Sequence, residues 1–130
     1  MNISTSLKWD GDKVKILGEK VVDGSAFKTG LVVEGNAKLL APVDTGRLAG
    51  SISTQSKDKG SKTGVDTISK PTAEGVVYVG TPVAYGPYME FGTSKAEAQP
   101  FLRPALRMAK GEAVTITKRE SKTVFGDYLV

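Results

Sequence analysis

The sequence predicts an α+β fold. Three observations predict it: helical spacing that runs from Asp12 to Leu40, two strand-like segments on either side of a Lys/Gly/Ser/Thr-rich connection, and a second helical stripe from Phe101 to about Lys118. At 130 residues the chain has the length of a single domain, 1–130, with enough material for an independent core.

The elements follow in order. Ile3, Thr5, Leu7 and Trp9 alternate, which predicts a strand over residues 2–9; Trp9 packs on the core or anchors an interface. Asp10-Gly11-Asp12 reads as a turn and helix start. Val14, Leu17, Val21, Val22, Ala26, Val33, Ala37 and Leu40 then recur mostly at three and four residues, as on one face of a helix. Gly18, Gly24, Gly30 and Gly35 interrupt it, and each costs about 1 kcal/mol relative to Ala in a helix interior. Either the helix breaks between Gly24 and Gly30, or another element packs close to its backbone. Pro42 ends it.

Leu48, Gly50, Ile52 and Thr54 alternate as a strand. Residues 57–72 predict a flexible loop at the tip of a long hairpin, and Glu74 to Val79 the returning strand, buried on both faces at Val76 to Val79. Thr81 to Pro87 reads as a turn-rich connection. Pro100 and Pro104 are tolerated only in a first helical turn, so the last helix begins near Phe101, with Leu102, Leu106, Ala109, Ala113 and Ile116 on its apolar stripe. A C-terminal extension, 119–130, ends in a short element containing Val124, Phe125, Tyr128, Leu129 and Val130.

Composition narrows the chemistry. The chain has no His and no Cys, which removes the commonest general base, the commonest metal ligand, disulfides and thiolate chemistry. No cofactor or metal is expected. The N-terminus is polar, so export through a signal peptide is not expected, and no apolar run approaches the roughly 20 residues that span a bilayer. The net charge is +4. Its excess falls in residues 57–70, with Lys57, Lys59, Lys62 and Lys70, and from Arg103 onward. Such charge suits solvent, phosphate or an acidic partner.

Three Pro/Gly-dense motifs carry the sharper signal: A-P-V-D-T-G-R-L (Ala41 to Leu48), Y-M-E-F-G-T (Tyr88 to Thr93) and Q-P-F-L-R-P-A-L (Gln99 to Leu106). Asp44-Thr45-Gly46 is the triplet of aspartic proteases, in which two such loops share a proton across a dimer. Here Arg47 follows where a small residue is usual, and a helical pattern runs into the triplet. Asp and Thr bonding to nearby amides, with Gly46 at an unusual backbone angle, explain it more simply. Glu90 lies among Tyr85, Tyr88 and Phe91, so its carboxylate is desolvated or paired; Arg103 and Arg107, one turn apart, are its candidate partners. Phe101 is held in a fixed direction by the Pro corner and faces either the core or a neighbouring subunit.

In order, the motifs resemble the small head–tail joining, or tail-completion, proteins of long-tailed bacteriophages. That family carries A-P-V-D-T-G-x-L-x-x-S-I, then Y-x-E-F-G-T, then Q-P-F-L-R-P-A-L, matched here at Ala41 to Ile52, Tyr88 to Thr93 and Gln99 to Leu106. The resemblance covers about residues 10 to 110. Gly86-Pro87 departs from it and weakens the case for helix around Tyr85 to Tyr88; nothing after Gly111 matches.

The resemblance implies a long helix packed on a small antiparallel sheet, and a non-enzymatic virion structural protein. Copies would assemble as a ring, a hexamer, at the top of the tail tube. The ring's partners would be itself, the tail tube protein and the head connector or stopper. DNA would pass through without sequence-specific binding, and no membrane is involved. Assembly would take place in the bacterial host cytoplasm. The expected interface residues are Asp44, Thr45, Arg47, Tyr88, Glu90, Phe91, Phe101, Arg103 and Arg107, with Lys57, Lys59, Lys62 and Lys70 on a partner-binding loop. On this reading, Glu90→Ala or Arg103→Ala blocks assembly and leaves the monomer folded. The alternatives are the protease and a basic DNA-contacting neck module.

Overall fold

Thirty consecutive residues, Gly11–Leu40, form one helix (α1). The computed structural model describes residues 11–42, 46–62 and 67–126; the strand expected over 2–9 with Trp9, the expected sites Asp44 and Thr45, and residues 128–130 lie outside these. Asp12 in the first turn and Lys38 in the last complement the helix dipole of α1. Ala41 N–H closes on the Ala37 carbonyl at 2.9 Å before Pro42 stops the helix.

The four glycines do not break α1, which settles the choice left open by the sequence. Gly30 is the position that needs its missing side chain: a Cβ there would lie 2.7 Å from both Thr54 Cγ2 and Val77 Cγ1. The helix therefore sits directly on a two-stranded antiparallel sheet of β1 (Ser53–Ser56) and β2 (Val77–Gly80), registered from Ser53 opposite Gly80 to Ser56 opposite Val77. Thr54 Oγ1 donates to the Gly30 carbonyl (3.1 Å) and also lies 3.2 Å from Glu34 Oε1, so polar contacts fix the seat that the glycine opens. Gly18 and Gly35 face open space.

Between α1 and the sheet, Arg47–Ser51 form a short helix (α2) where a strand from Leu48 is expected. Leu48 and Ile52 are four apart, so a single helical turn points both inward, and both are buried. The strand starts only at Ser53. The returning strand is likewise shorter than expected and is half-buried on one face only: Val77 and Val79 face α1, while Val76 and Tyr78 are exposed.

The stretch after β1 is not simply the tip of the β1–β2 hairpin. It folds straight back on the other edge of β1: Ser56 N–H reaches the Lys59 carbonyl, Gly60 bridges Gln55, and Ser61 N–H reaches the Thr54 carbonyl, the two bonds each 2.8 Å. Glu34 accepts from the Ser61 hydroxyl and pairs with Lys38, so one α1 carboxylate holds the fold-back in place.

The chain continues into α3 (Gly86–Phe91) and α4 (Leu102–Phe125). Helix forms at Gly86 despite the Gly-Pro pair, because Pro87 falls in the first turn, where its missing N–H has no intrahelical partner. Val124 and Phe125 belong to the end of α4 rather than to a separate element. The inward stripe of α4 is Phe101, Ala105 and Ala109, one position over from the expected Leu102 and Leu106. Small Ala side chains on α4 meet Ala37 and Val33 of α1, and this allows the two helices to pack closely.

These helices run antiparallel: Asn36 Nδ2 reaches the Ala105 carbonyl at 3.5 Å, and further along Lys28 pairs with Glu120. Phe101 is fully buried at the centre, with Val33, Ala37, Ala41, Leu48 and Ile52 around it. The fold is thus α+β: a long helix packed on a small antiparallel sheet, with a second long helix alongside. Among the described residues no helix is long and apolar enough to cross a membrane.

Candidate assembly site

The second and third motifs are one physical unit. Glu90, only 3 % exposed, projects its carboxylate into the N-terminus of α4. Its Oε2 accepts from Phe101 N–H at 2.7 Å and Leu102 N–H at 3.0 Å, and its Oε1 from Arg103 N–H at 3.0 Å. The next residue, Pro104, has no N–H, and Ala105 N–H bonds back to the Phe101 carbonyl at 3.3 Å. Every donor that the start of α4 would otherwise leave unsatisfied is met, and the carboxylate lies at the positive end of the helix dipole. No side chain local to α4 performs this cap.

Arg103 completes the unit. Its Nε donates to Glu90 Oε1 at 3.0 Å and its Nη2 to the Glu90 carbonyl at 3.1 Å, while its guanidinium lies 4.8 Å from the Phe91 ring centroid. Burial alone would push the Glu90 carboxyl up. The amides of Leu102, Phe101 and Arg103, with the Arg103 side chain, outweigh burial and hold it below the ordinary carboxylate value.

The chain between the motifs is shaped to deliver this contact. Gly92, with φ of 78°, caps α3, and a Cβ there would lie 2.7 Å from Ala98 N. Thr93 Oγ1 accepts from the Lys95 and Ala96 amides, and Gln99 N–H reaches the Met89 carbonyl at 2.7 Å. Glycine, threonine and glutamine of the two motifs therefore all serve one corner.

This geometry revises the roles expected of several residues. Phe101 faces the core, not a neighbour. Glu90 is buried with its acceptors satisfied inside the chain, so its removal strikes the monomer first rather than assembly alone. Arg107 is exposed and makes no hydrogen bond or ion pair with Glu90. Tyr88 and Phe91, three apart on α3, point outward at 61 % and 68 % exposure. Arg47 is exposed at the start of α2, behind Gly46, whose φ of 73° is the unusual angle expected of the triplet. The described flanks of that triplet are helices rather than strands. The depression beside it, about 590 Å³ and lined by Gly46, Arg47, Gly50, Lys62 and Val83 among others, has no Asp or Glu among its described lining residues.

Three of the four loop lysines are engaged. Lys57 pairs with Glu74 at 2.8 Å, an exposed pair that raises the lysine pKa and lowers the glutamate's through their hydrogen bond and charge. The Lys59 ammonium lies 4.7 Å from the Phe27 ring centroid, and Lys62 donates to the Gly50 carbonyl. Lys70 is exposed. The lysines thus help to hold the fold-back against the body of the protein.

Beside the Glu90–Arg103 corner opens an apolar groove of about 560 Å³. Val22, Ala26 and Val33 of α1, Val77 of β2, and Leu102 and Leu106 of α4 line it, with Arg103 at its rim. Leu106, expected in the core, is 53 % exposed here. The groove leaves apolar side chains of α1, β2 and α4 open among the described residues. No group of three or more metal-ligating side chains occurs among the described residues. Sequence reasoning missed the groove because Val77, Leu102 and Leu106 read as core in any periodicity. No family model, curated protein or solved structure matches the chain.

Proposed function

We propose that this chain is a virion structural protein of a long-tailed bacteriophage. It forms a ring, a hexamer, at the top of the tail tube and completes the tail or joins it to the head connector. Its partners are further copies of itself, the tail tube protein and the connector or stopper, and DNA passes through the ring. It assembles in the bacterial host cytoplasm and ends in the neck of the virion.

The observation that carries this reading is the union of the second and third motifs into one Glu90–Arg103 corner at the rim of an open apolar groove. The motif residues have structural work inside the chain that supports the reading: Glu90 caps a helix, Phe101 fills the core, and Gly92 shapes a turn. A ring needs two different surfaces on each copy that meet and close. The groove supplies one, and the outward Tyr88 and Phe91 of a neighbouring copy supply the other. The protease alternative is less well supported, since the triplet lies between helices and Arg47 follows it.

Light scattering with electron microscopy of the purified chain tests the reading. Closed rings of one defined copy number are expected, and a strictly monomeric chain at all concentrations would count against it.

A further inference from the structure

The outward face of α4 carries a row of positive charge that winds gradually round the helix. Arg103, Arg107, Lys110, Lys118 and Lys122 follow one another at helical spacing, with Val114 in the one gap, and all five cations are exposed. Over nineteen residue steps the row is about 28 Å long. Its five charges exceed the chain's net charge of +4, so the rest of the protein is close to neutral and the basic excess is gathered on this face.

Acidic residues of α4 avoid the row. Glu120 turns inward to pair with Lys28, and Glu112 shares its flank with Met108 and Ala105 by spacings of four and seven. Among the described residues, no hydrogen bond or ion pair holds Arg107, Lys110, Lys118 or Lys122. The loop lysines differ: Lys57, Lys59 and Lys62 are already in contact with Glu74, Phe27 and the Gly50 carbonyl.

We infer that this face of α4 contacts the phosphate backbone of double-stranded DNA without reading its sequence. An extended, winding row matches an extended polyanion better than a compact one, and duplex DNA offers a negative charge about every 1.7 Å. Long, exposed cationic side chains of this kind meet phosphate oxygens through charge, so the contact is electrostatic. DNA as the occupant rests on the proposed place in the neck, whereas the row itself is read from α4 alone.

The test is fluorescence anisotropy of a labelled duplex of about 25 base pairs, titrated with the full-length chain from about 50 to about 200 mM salt. Binding with Kd of about 10–100 µM at the lower salt is expected, weakening about 250-fold across the range, with a log–log slope near −4. The double variant K110E/K118E should bind at least about 10-fold more weakly with a slope reduced by about half, while K57A/K59A/K62A should keep the parent slope. Circular dichroism melts establish that both variants are folded.

Binding without salt dependence, or equal loss in both variants, would overturn the inference. So would tighter capture of polyglutamate than of DNA, which would assign the face to an acidic protein. Light scattering on the same samples separates this result from the ring reading: a monomer that binds DNA with the expected slope leaves α4's role standing, and rings that ignore DNA remove it.

Discussion

Glu90 and Arg103 hold each other at two points: Arg103 Nε donates to Glu90 Oε1 at 3.0 Å, and Arg103 Nη2 to the Glu90 carbonyl at 3.1 Å. The two partners are unequal. The glutamate is buried and also takes three backbone amides, whereas the arginine side chain is 58 % exposed. Losing the acid leaves three amides at the start of α4 without an acceptor; losing the base leaves the cap in place.

Glu90→Ala is therefore expected to destabilise the monomer by about 3–5 kcal/mol, the range for breaking a buried charged network from one side. Arg103→Ala, which removes only the exposed partner and a stacking contact and leaves the amide cap in place, should cost about 1 kcal/mol. Urea denaturation of both variants checks the ranking. An arginine variant as damaged as the glutamate variant would contradict the cap.

Acid should act through the same residue. The folded-state pKa of Glu90 is lowered from its ordinary value of 4.5. A lowered value means that the ionised form favours folding, so this stabilisation is present above the unfolded pKa and is lost as pH falls through the folded one. Stability measured from about pH 7 to about pH 3 should fall below about pH 4.5, and Glu90→Gln should flatten that part of the profile. An unchanged acid slope in the variant would remove Glu90 as its source.

Two glycines of α1 should respond in opposite directions. Gly30→Ala forces a methyl against Thr54 and Val77 and should cost about 1–3 kcal/mol. Gly35→Ala adds a methyl in open space and should stabilise by about 1 kcal/mol. Thermal melts of the pair give the answer, and a stabilised Gly30→Ala would show that α1 does not seat closely on the sheet.

Surface variants separate folding from assembly. Leu106→Glu places a charge in the apolar groove at a half-exposed position, and Phe91→Ser removes the outward ring beside Arg103. Each should leave stability within about 1 kcal/mol of the parent while weakening self-association. Sedimentation at several concentrations is the check; unaltered association in both would move the copy–copy contact away from the groove.

Much of the fold was legible because it depends on local spacing. The periods of α1 and α4, the Pro100/Pro104 first turn, and the need of Glu90 for a partner all follow from neighbours in sequence. Sequence narrowed that partner to Arg103 or Arg107, one turn apart, and only the folded geometry chose Arg103. The amide cap was not legible, since backbone donors look alike in any sequence and Glu90 lies eleven residues from Phe101. Leu48 and Ile52 fit a strand's alternation and a helical turn's i,i+4 spacing equally well, and inward packing of both decided for the turn. The fold-back after β1 rests on backbone bonds and on Glu34, twenty residues before Thr54, which no local pattern links to it. The basic face of α4 shows as a count of charges in sequence and as a row only once the helix is continuous to Phe125.

The most direct test of the central claim is electron microscopy of lysates from a phage in which the gene for this chain has been deleted. DNA-filled heads lying beside unattached or overlong tails are expected, with infectivity restored when the chain is supplied. Intact virions in normal numbers would contradict that claim.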